Sequence, residues 1–175
     1  VCVLAVGHSA RDTFECLFKK QVSMRAKSFA VGLRIQHPQE WINISQYGAA
    51  DGAGLGAASY KLTHQTKTGR GVYSFCMCPG GYVVNASSEE GHLAINGMSY
   101  HSRDGINANS ALIVSVTPDD FLDPTPLGGV AFQRRLEKAA FHAAKGKIPV
   151  QLYGDFKENK MSHKFFDVEP AFCGR

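Results

Sequence analysis

A chain of 175 residues, 44% of them hydrophobic, has enough apolar mass to bury the core of one ordinary globular domain. Its 19 Lys and Arg against 15 Asp and Glu are spread without forming a block, which argues against a nucleic-acid partner. No apolar run approaches the roughly 20 residues that span a bilayer, and no charged stretch leads into a cleavable apolar segment, so neither membrane insertion nor a targeting signal is expected.

The opening VCVLAVG reads as a buried strand that starts in mid-element, as an excised piece of a longer protein would. After the turn at Gly7, Ser9 is placed to cap a helix over about residues 9–21, with Asp12 three positions on and Phe14, Leu17 and Phe18 as its apolar stripe. A strand, a tight turn and a helix make the first half of a parallel βα unit. Its partner strands are expected elsewhere in the longer protein.

From Ser28 the pattern changes to period two, with Phe29, Val31, Leu33 and Ile35 on one face of a half-buried strand that Pro38 stops. A polar segment through Trp41 and Tyr47 then leads into the Ala/Gly-rich GAADGAGLGAAS, read as a mobile connection. YKLTHQT and GVYSFCMC are strands, and YVVNAS after Pro79, Gly80 and Gly81 is the expected return arm of a hairpin. NSALIVSV is a further strand, followed by a turn through Asp123 and a helix over about residues 129–144 carrying Phe132, Leu136, Ala139, Ala140 and Ala143. KIPVQLYGDF reads as the last strand, and residues 158–175 as a linker. The fold class is therefore α+β: a mostly antiparallel β domain with two main helices, over residues 28–157, preceded by a strand-helix piece over residues 1–24.

Five cysteines, an odd number without small-scaffold spacing, point to a reducing cytoplasmic setting, where the sequons at Asn43 and Asn85 carry no meaning. Cys2, Cys16, Cys173 and His64 offer no second ligand pair for a structural zinc, so no metal is expected. GAGLGA imitates a dinucleotide fingerprint, but a polar segment precedes it and a strand follows, so it reads as a loop. The turn VGHSARD is better placed: Gly7, His8 and Ser9 at a helix start, with Arg11 adding charge, suit an anion, or Ser9 merely caps the helix.

In an extended strand Tyr73, Phe75 and Met77 share one face, taken as core, while Ser74, Cys76 and Cys78 share the other. A disulfide between positions i and i+2 of such a strand is awkward, because the Cα atoms lie near the upper limit of about 6.8 Å. Two readings stay open: Cys76 and Cys78 pack as small apolar thiols, or their face meets a ligand beside the permissive Gly80 and Gly81. Residues 87–110 lack hydrophobic periodicity and offer His92, His101, Arg103, Asn107 and Asn109, either as functional groups or as turn-forming residues of a solvated loop.

Taken together, AVGHSARDTFE, AKSFAVGLRIQHPQEWIN, YKLTHQT, GRGVYSFCMCPGGYVVNASSEEG, NGMSYHSRDGINANSA and KIPVQLYGDF resemble an uncharacterised family of bacterial FAD-dependent dehydrogenases along nearly the whole chain. The resemblance implies the central part of a flavoprotein: residues 1–24 end the first segment of a split Rossmann FAD domain, and residues 28–157 form an inserted domain that covers the flavin and shapes the site of a small-molecule substrate. It also implies that Gly7, His8 and Ser9 lie near FAD, with Arg11 adding charge, that Cys76 to Gly81 face the substrate side of the flavin, with Cys76 and Cys78 as candidate catalytic groups and Gly80 and Gly81 as candidate cofactor contacts, and that the partner is the remaining FAD domain of the same chain. The family's N-terminal G-x-G-x-x-G and C-terminal flavin segment are absent from these 175 residues, so the chain alone is expected to bind no FAD and to be inactive. A non-catalytic docking module is the alternative.

Overall fold

The computed structural model of the chain describes residues 1–165 and the backbone of Phe172–Cys173. Its elements in chain order are α1 (Arg11–Lys19), β1 (Phe29–Pro38), α2 (Gln39–Tyr47), β2 (Thr63–Gln65), β3 (Gly71–Cys78), β4 (Gly81–Asn85), β5 (Ile95–Ser99), β6 (Asn107–Val116), α3 (Gly128–Ala143), α4 (Tyr153–Lys157) and β7 (Phe172–Cys173). Short 3-10 turns occupy Gly52–Gly54 and Pro118–Asp120. The architecture is α+β, with an antiparallel sheet in the order β1-β6-β3-β2 and a second sheet in the order β5-β4-β7, in which β4 and β7 run parallel.

The long strand β6 is central to the first sheet, registered along all of β1 from Phe29↔Val116 to Pro38↔Asn107. β1 is a strand as expected, and Phe29 stacks on Phe121 at 5.4 Å and meets Phe132 of α3 at 6.1 Å, closing an aromatic cluster at one end of the sheet, but Leu33 on the face expected to be buried is 61% exposed while Arg34 on the other is half-buried. The other end of β6 is polar, with Asn107, Asn109 and Ser110 buried beside Ala108.

The structure corrects several expectations. β3 and β4 do not form a hairpin, because the chain passes between sheets at Gly80, and β4 pairs with β5 instead. Gly80 has φ +51°, and a Cβ there would stand 1.9 Å from the Arg103 carbonyl oxygen, so this crossover depends on the missing side chain. Residues 87–110 are not one irregular loop: β5 lies within them, hidden from a periodicity search because its inward positions are Gly97 and Ser99. The polar segment after Pro38 is helix α2, whose Gln39 and Asn43, one turn apart, face inward. Gln39 donates to Asn43 Oδ1 and the Ala58 carbonyl and accepts from the Gly80 amide. Asn43 binds Ala50 O and Ala58 N, which holds the Ala/Gly segment against α2.

Residues 1–7 form no strand and leave Val1, Val3, Leu4 and Val6 exposed, since no neighbouring strand pairs with them among the described residues. Helix α1 begins at Arg11, two residues later than expected, and the Ser9 side chain does not cap it. Residues 148–152 are irregular and lead into α4, where a strand was expected; Pro149 lacks a ladder donor. β7 pairs with β4 inside the segment read as a linker, while residues 166–171 and 174–175 of that segment lie outside the described residues.

Helix α1 is tied to the remainder by charge. Arg11, only 4% exposed, donates to both carboxylate oxygens of Glu137 and to Gln133 on α3, and lies 3.4 Å from Glu89. Arg134 binds Glu89 through two nitrogens and Glu15 on α1 through a third. The hydrogen bonds from Arg134 hold the Glu89 carboxyl down from 4.5 to about 2.

Two outcomes follow from these contacts. Gly80→Ala should cost about 2–4 kcal/mol, from left-handed strain and the collision with Arg103, read as a lower urea midpoint. Because the Glu89 pKa is depressed in the fold, its stabilisation is complete above about 4.5 and is lost as pH falls toward about 2. Glu89→Gln should therefore lower stability at neutral pH and flatten the acid limb of a melting-temperature profile between those values.

Candidate functional site

The two sheets meet where β1, β3, β5 and β6 converge. Asn109 on β6 registers with Gln36 on β1 and Cys78 on β3, so its side chain shares a face with Arg34, two positions from Gln36. Arg34 Nη1 donates to Asn109 Oδ1 at 2.7 Å and to the Cys76 carbonyl at 3.3 Å, and Nη2 donates to Asn96 Oδ1 on β5 at 3.1 Å. Gly97 makes this meeting possible. A Cβ there would lie 2.2 Å from Asn109 Oδ1, 2.3 Å from Arg34 Nη1 and 2.9 Å from Cys78 Sγ.

Arg34 has no carboxylate within ion-pairing distance among the described residues. Burial pushes its pKa down, and the neighbouring thiols of Cys78 and Cys76 push it back up. Asn109 is fully buried, and with Oδ1 held by Arg34 its Nδ2 has no partner. An unpaired cation beside an orphaned amide donor suits an electron-rich edge such as a carbonyl, carboxylate or delocalised anion.

Strand β3 bends at this point. Its register with β6 shifts between Phe75 and Cys78, and Cys76 takes φ +46°, in the left-handed region. The simple alternation expected for the strand fails at this bulge: Phe75, read as core, is 55% exposed, Cys76 is exposed and Cys78 is half-buried. Cys78 Sγ turns back to the Cys76 carbonyl at 3.3 Å, the same oxygen that Arg34 contacts. Burial raises the Cys78 thiol pKa, while Arg34 pulls it down.

Beside the bulge, Tyr60, Lys61, Ser74, Phe75, Cys76 and Met77 line a shallow depression of about 180 Å³. The Tyr60 hydroxyl lies 2.9 Å from His37 Nε2. Burial raises the Tyr60 pKa and lowers that of His37.

The residues singled out in the sequence fall into two groups. Cys76, Cys78, Gly80 and Gly81 lie at the sheet junction, where Gly80 bonds Gln39 and Gly105, and Ser99 donates to the Pro79 carbonyl. Gly7, His8 and Ser9 are exposed on the N-terminal segment, and Arg11 is engaged with α3 and Glu89. Of the loop candidates, Asn109 is central, Asn107 is buried, His101 and Arg103 are exposed, and His92 lies 3.7 Å from Glu89. Arg34, Asn96, Gly97, His37 and Tyr60 were not singled out. One cue was available for Arg34: it interrupts the apolar FAVGLRI at a position whose face its neighbours do not share. Among the described residues no group of three or more His, Cys, Asp or Glu side chains is arranged to hold a metal, and no helix is long and apolar enough to cross a membrane.

Asn109→Ala removes the amide that anchors a half-buried guanidinium. The expected loss is about 1.5–3 kcal/mol, the range for a hydrogen bond to a charged group, measured by urea unfolding.

The comparisons with known proteins agree with the sequence resemblance at the level of family. The chain is 57% identical over 174 residues to a protein of Clostridium beijerinckii described as uncharacterized, an alignment covering 97% of this chain and 33% of that one. The chain thus spans about a third of the length of that relative. Residues 28–174 match the family described as "FAD-dependent protein, C-terminal domain-like", and the chain belongs to that family.

Proposed function

We propose that the full-length protein is an FAD-dependent oxidoreductase of the dehydrogenase type, and that this domain covers the flavin and shapes the substrate site at the junction of its two sheets. The observation that carries the reading is the half-buried Arg34 without a carboxylate partner, next to the orphaned Nδ2 of Asn109, in a chain of an FAD-dependent family. FAD, when bound, supplies hydride transfer, and protein groups position and tune it. Arg34 would place positive charge near the electron-rich edge of the ring system, Asn109 would hold Arg34 in place, and the exposed Phe75 would offer an apolar surface to a ring. Cys76, Cys78, Gly80 and Gly81 would face the same space, and Gly7, His8, Ser9 and Arg11 would approach the cofactor from the N-terminal segment.

The remaining FAD domain of the same protein would seat on the apolar side chains that this chain leaves uncovered. Leu33 and Leu112 are directly opposite in the β1–β6 register, yet are 61% and 45% exposed. A cytoplasmic setting fits the free cysteines Cys2, Cys16, Cys76 and Cys78.

The test uses the full-length protein. It should purify with a flavin absorbance spectrum, and Arg34→Met should make the two-electron midpoint potential more negative. A charge at partly buried range contributes on the order of 1–2 kcal/mol to an anion, or roughly 20–45 mV. Arg34→Lys should recover part of the shift. A protein that stays colourless after refolding with FAD would overturn the reading.

A further inference from the structure

The depression beside the bulge opens where one ladder ends and β3 bends. β2 registers with β3 from Gln65↔Gly71 to Thr63↔Tyr73, and a further backbone bond runs from Ser74 N to Leu62 O at 2.9 Å. Leu62 N in turn donates to Ser74 Oγ at 2.7 Å, so that hydroxyl is already engaged. Next along the strand Cys76 takes its left-handed φ of +46°, and the space of about 180 Å³ lies between Tyr60–Lys61 and Phe75–Met77. Its lining is apolar and aromatic with a single cation and no carboxylate. Phe75 is 55% exposed and Met77 half-buried. Lys61 is exposed, with no carboxylate in ion-pairing distance among the described residues. The Tyr60 ring is anchored by its hydroxyl, 2.9 Å from His37 Nε2, with the two rings 5.5 Å apart. Burial raises the Tyr60 pKa and lowers that of His37, so near neutral pH neither adds a charge and Lys61 sets the sign of the site.

We infer that this depression binds a small aromatic carboxylate, its ring laid against Phe75 and its carboxylate paired with Lys61. A lone exposed ring or a lone lysine would be ordinary surface. Here the two line the same concavity, and the absence of any acid from the lining gives the site one sign of charge. A planar ring gains from offset or edge-on contact with Phe75. The Lys61 ammonium is a point charge on a flexible stem, so it follows the carboxylate without demanding a fixed approach. The Tyr60 ring, tethered to His37 on β1, supplies a wall that does not have to be ordered when the ligand enters. Arg34 acts on Tyr60 in the same positive sense as Lys61, since it draws the phenol pKa down against the effect of burial. The inference deepens the proposed oxidoreductase reading by giving the class of substrate, and it rests on that reading only in calling the ligand a substrate.

The probes are benzoate, benzamide and benzylammonium, titrated against the native full-length protein by saturation-transfer NMR of the ligand. Benzoate should bind with a dissociation constant on the order of 1 mM, and benzamide roughly three-fold more weakly because it lacks the charge. Lys61→Gln should bring benzoate down to the level of benzamide and leave benzamide unchanged. Lys61→Glu should reverse the order, with benzylammonium bound more tightly than benzoate. Phe75→Ala should weaken benzoate and benzamide alike, roughly five-fold. Both side chains are exposed, so a thermal melt should show each variant folded; if Phe75→Ala melts early, the Lys61 pair still decides the question. Equal binding of benzoate by wild type and Lys61→Gln would overturn the inference, and so would wild-type protein that shows no saturable transfer to benzoate. Flavin absorbance of the same samples separates the two readings. A yellow protein that fails the benzoate test overturns the ligand class alone, whereas Lys61-dependent binding by a colourless protein supports the site and overturns the flavin reading alone.

Discussion

The hydrogen bond from Arg34 to Asn109 is the contact on which the sheet junction depends. A guanidinium at half-buried depth must find acceptors, and its three-methylene stem from β1 carries it across the face of β6 to find three: the Asn109 amide, the Cys76 carbonyl and the Asn96 amide. Each acceptor belongs to a different strand. One side chain thereby fixes β6 and β3 of the first sheet against β5 of the second, and the sheets can approach only because Gly97 presents no side chain at the crossing. The left-handed Cys76 and Gly80 belong to the same constraint, since β3 must bend to offer its carbonyl and then leave for the other sheet.

The interior around this contact is polar to a degree that would be costly without full pairing. Gln39 uses both ends of its amide, Asn43 likewise, and Ser74 receives the Leu62 amide, so these buried groups cost little despite their polarity. Asn109 Nδ2 departs from that pattern, as does His37 Nδ1 on the neighbouring strand β1. The apolar residues show the converse arrangement. Among the described residues the buried apolar side chains are Ala58, Val83, Leu93, Ala108 and Val116, while Leu33, Phe75 and Leu112 stand partly in water on the two faces of the first sheet. In a chain that spans a third of its relative, those faces are where further protein surface would be covered to best effect.

How much of this could be read beforehand depends on which physical signal each element carries. β1, β3, β6 and α3 were legible as elements from their apolar patterns, and α3 begins and ends within one residue of expectation, although Leu33 and Phe75, on faces expected to be buried, are exposed. α2 was not, because its inward positions are Gln39 and Asn43, and a helix that buries amides looks like a polar loop. β5 was missed for the related reason that its inward positions are small, and the β3–β4 hairpin was wrongly expected because Pro-Gly-Gly permits a turn without saying which sheet the chain enters next. At the site, Cys76, Cys78, Gly80 and Asn109 could be flagged by residue type. Gly97 could not, and Arg34 only as a charge interrupting an apolar run, since their roles exist only once two sheets, far apart in sequence, are brought together.

The bulge at Cys76 shows why that distinction matters for chemistry. Read as an extended strand, the two cysteines share one face at a Cα separation near the upper limit for a disulfide, and either pack as small thiols or meet a ligand. A non-glycine residue in the left-handed region costs on the order of 1–3 kcal/mol and persists only where its surroundings enforce it. Here the surroundings are identifiable: Arg34 holds the Cys76 carbonyl, and the register with β6 resumes only at Cys78 opposite Asn109. The same enforced bend leaves Cys76 exposed and Cys78 half-buried, with the Cys78 sulfur 3.3 Å from the Cys76 carbonyl oxygen that Arg34 also contacts. The strain thus lies at the residue whose carbonyl Arg34 holds, and straightening β3 would free Arg34 from that carbonyl and undo the crossing of the sheets together.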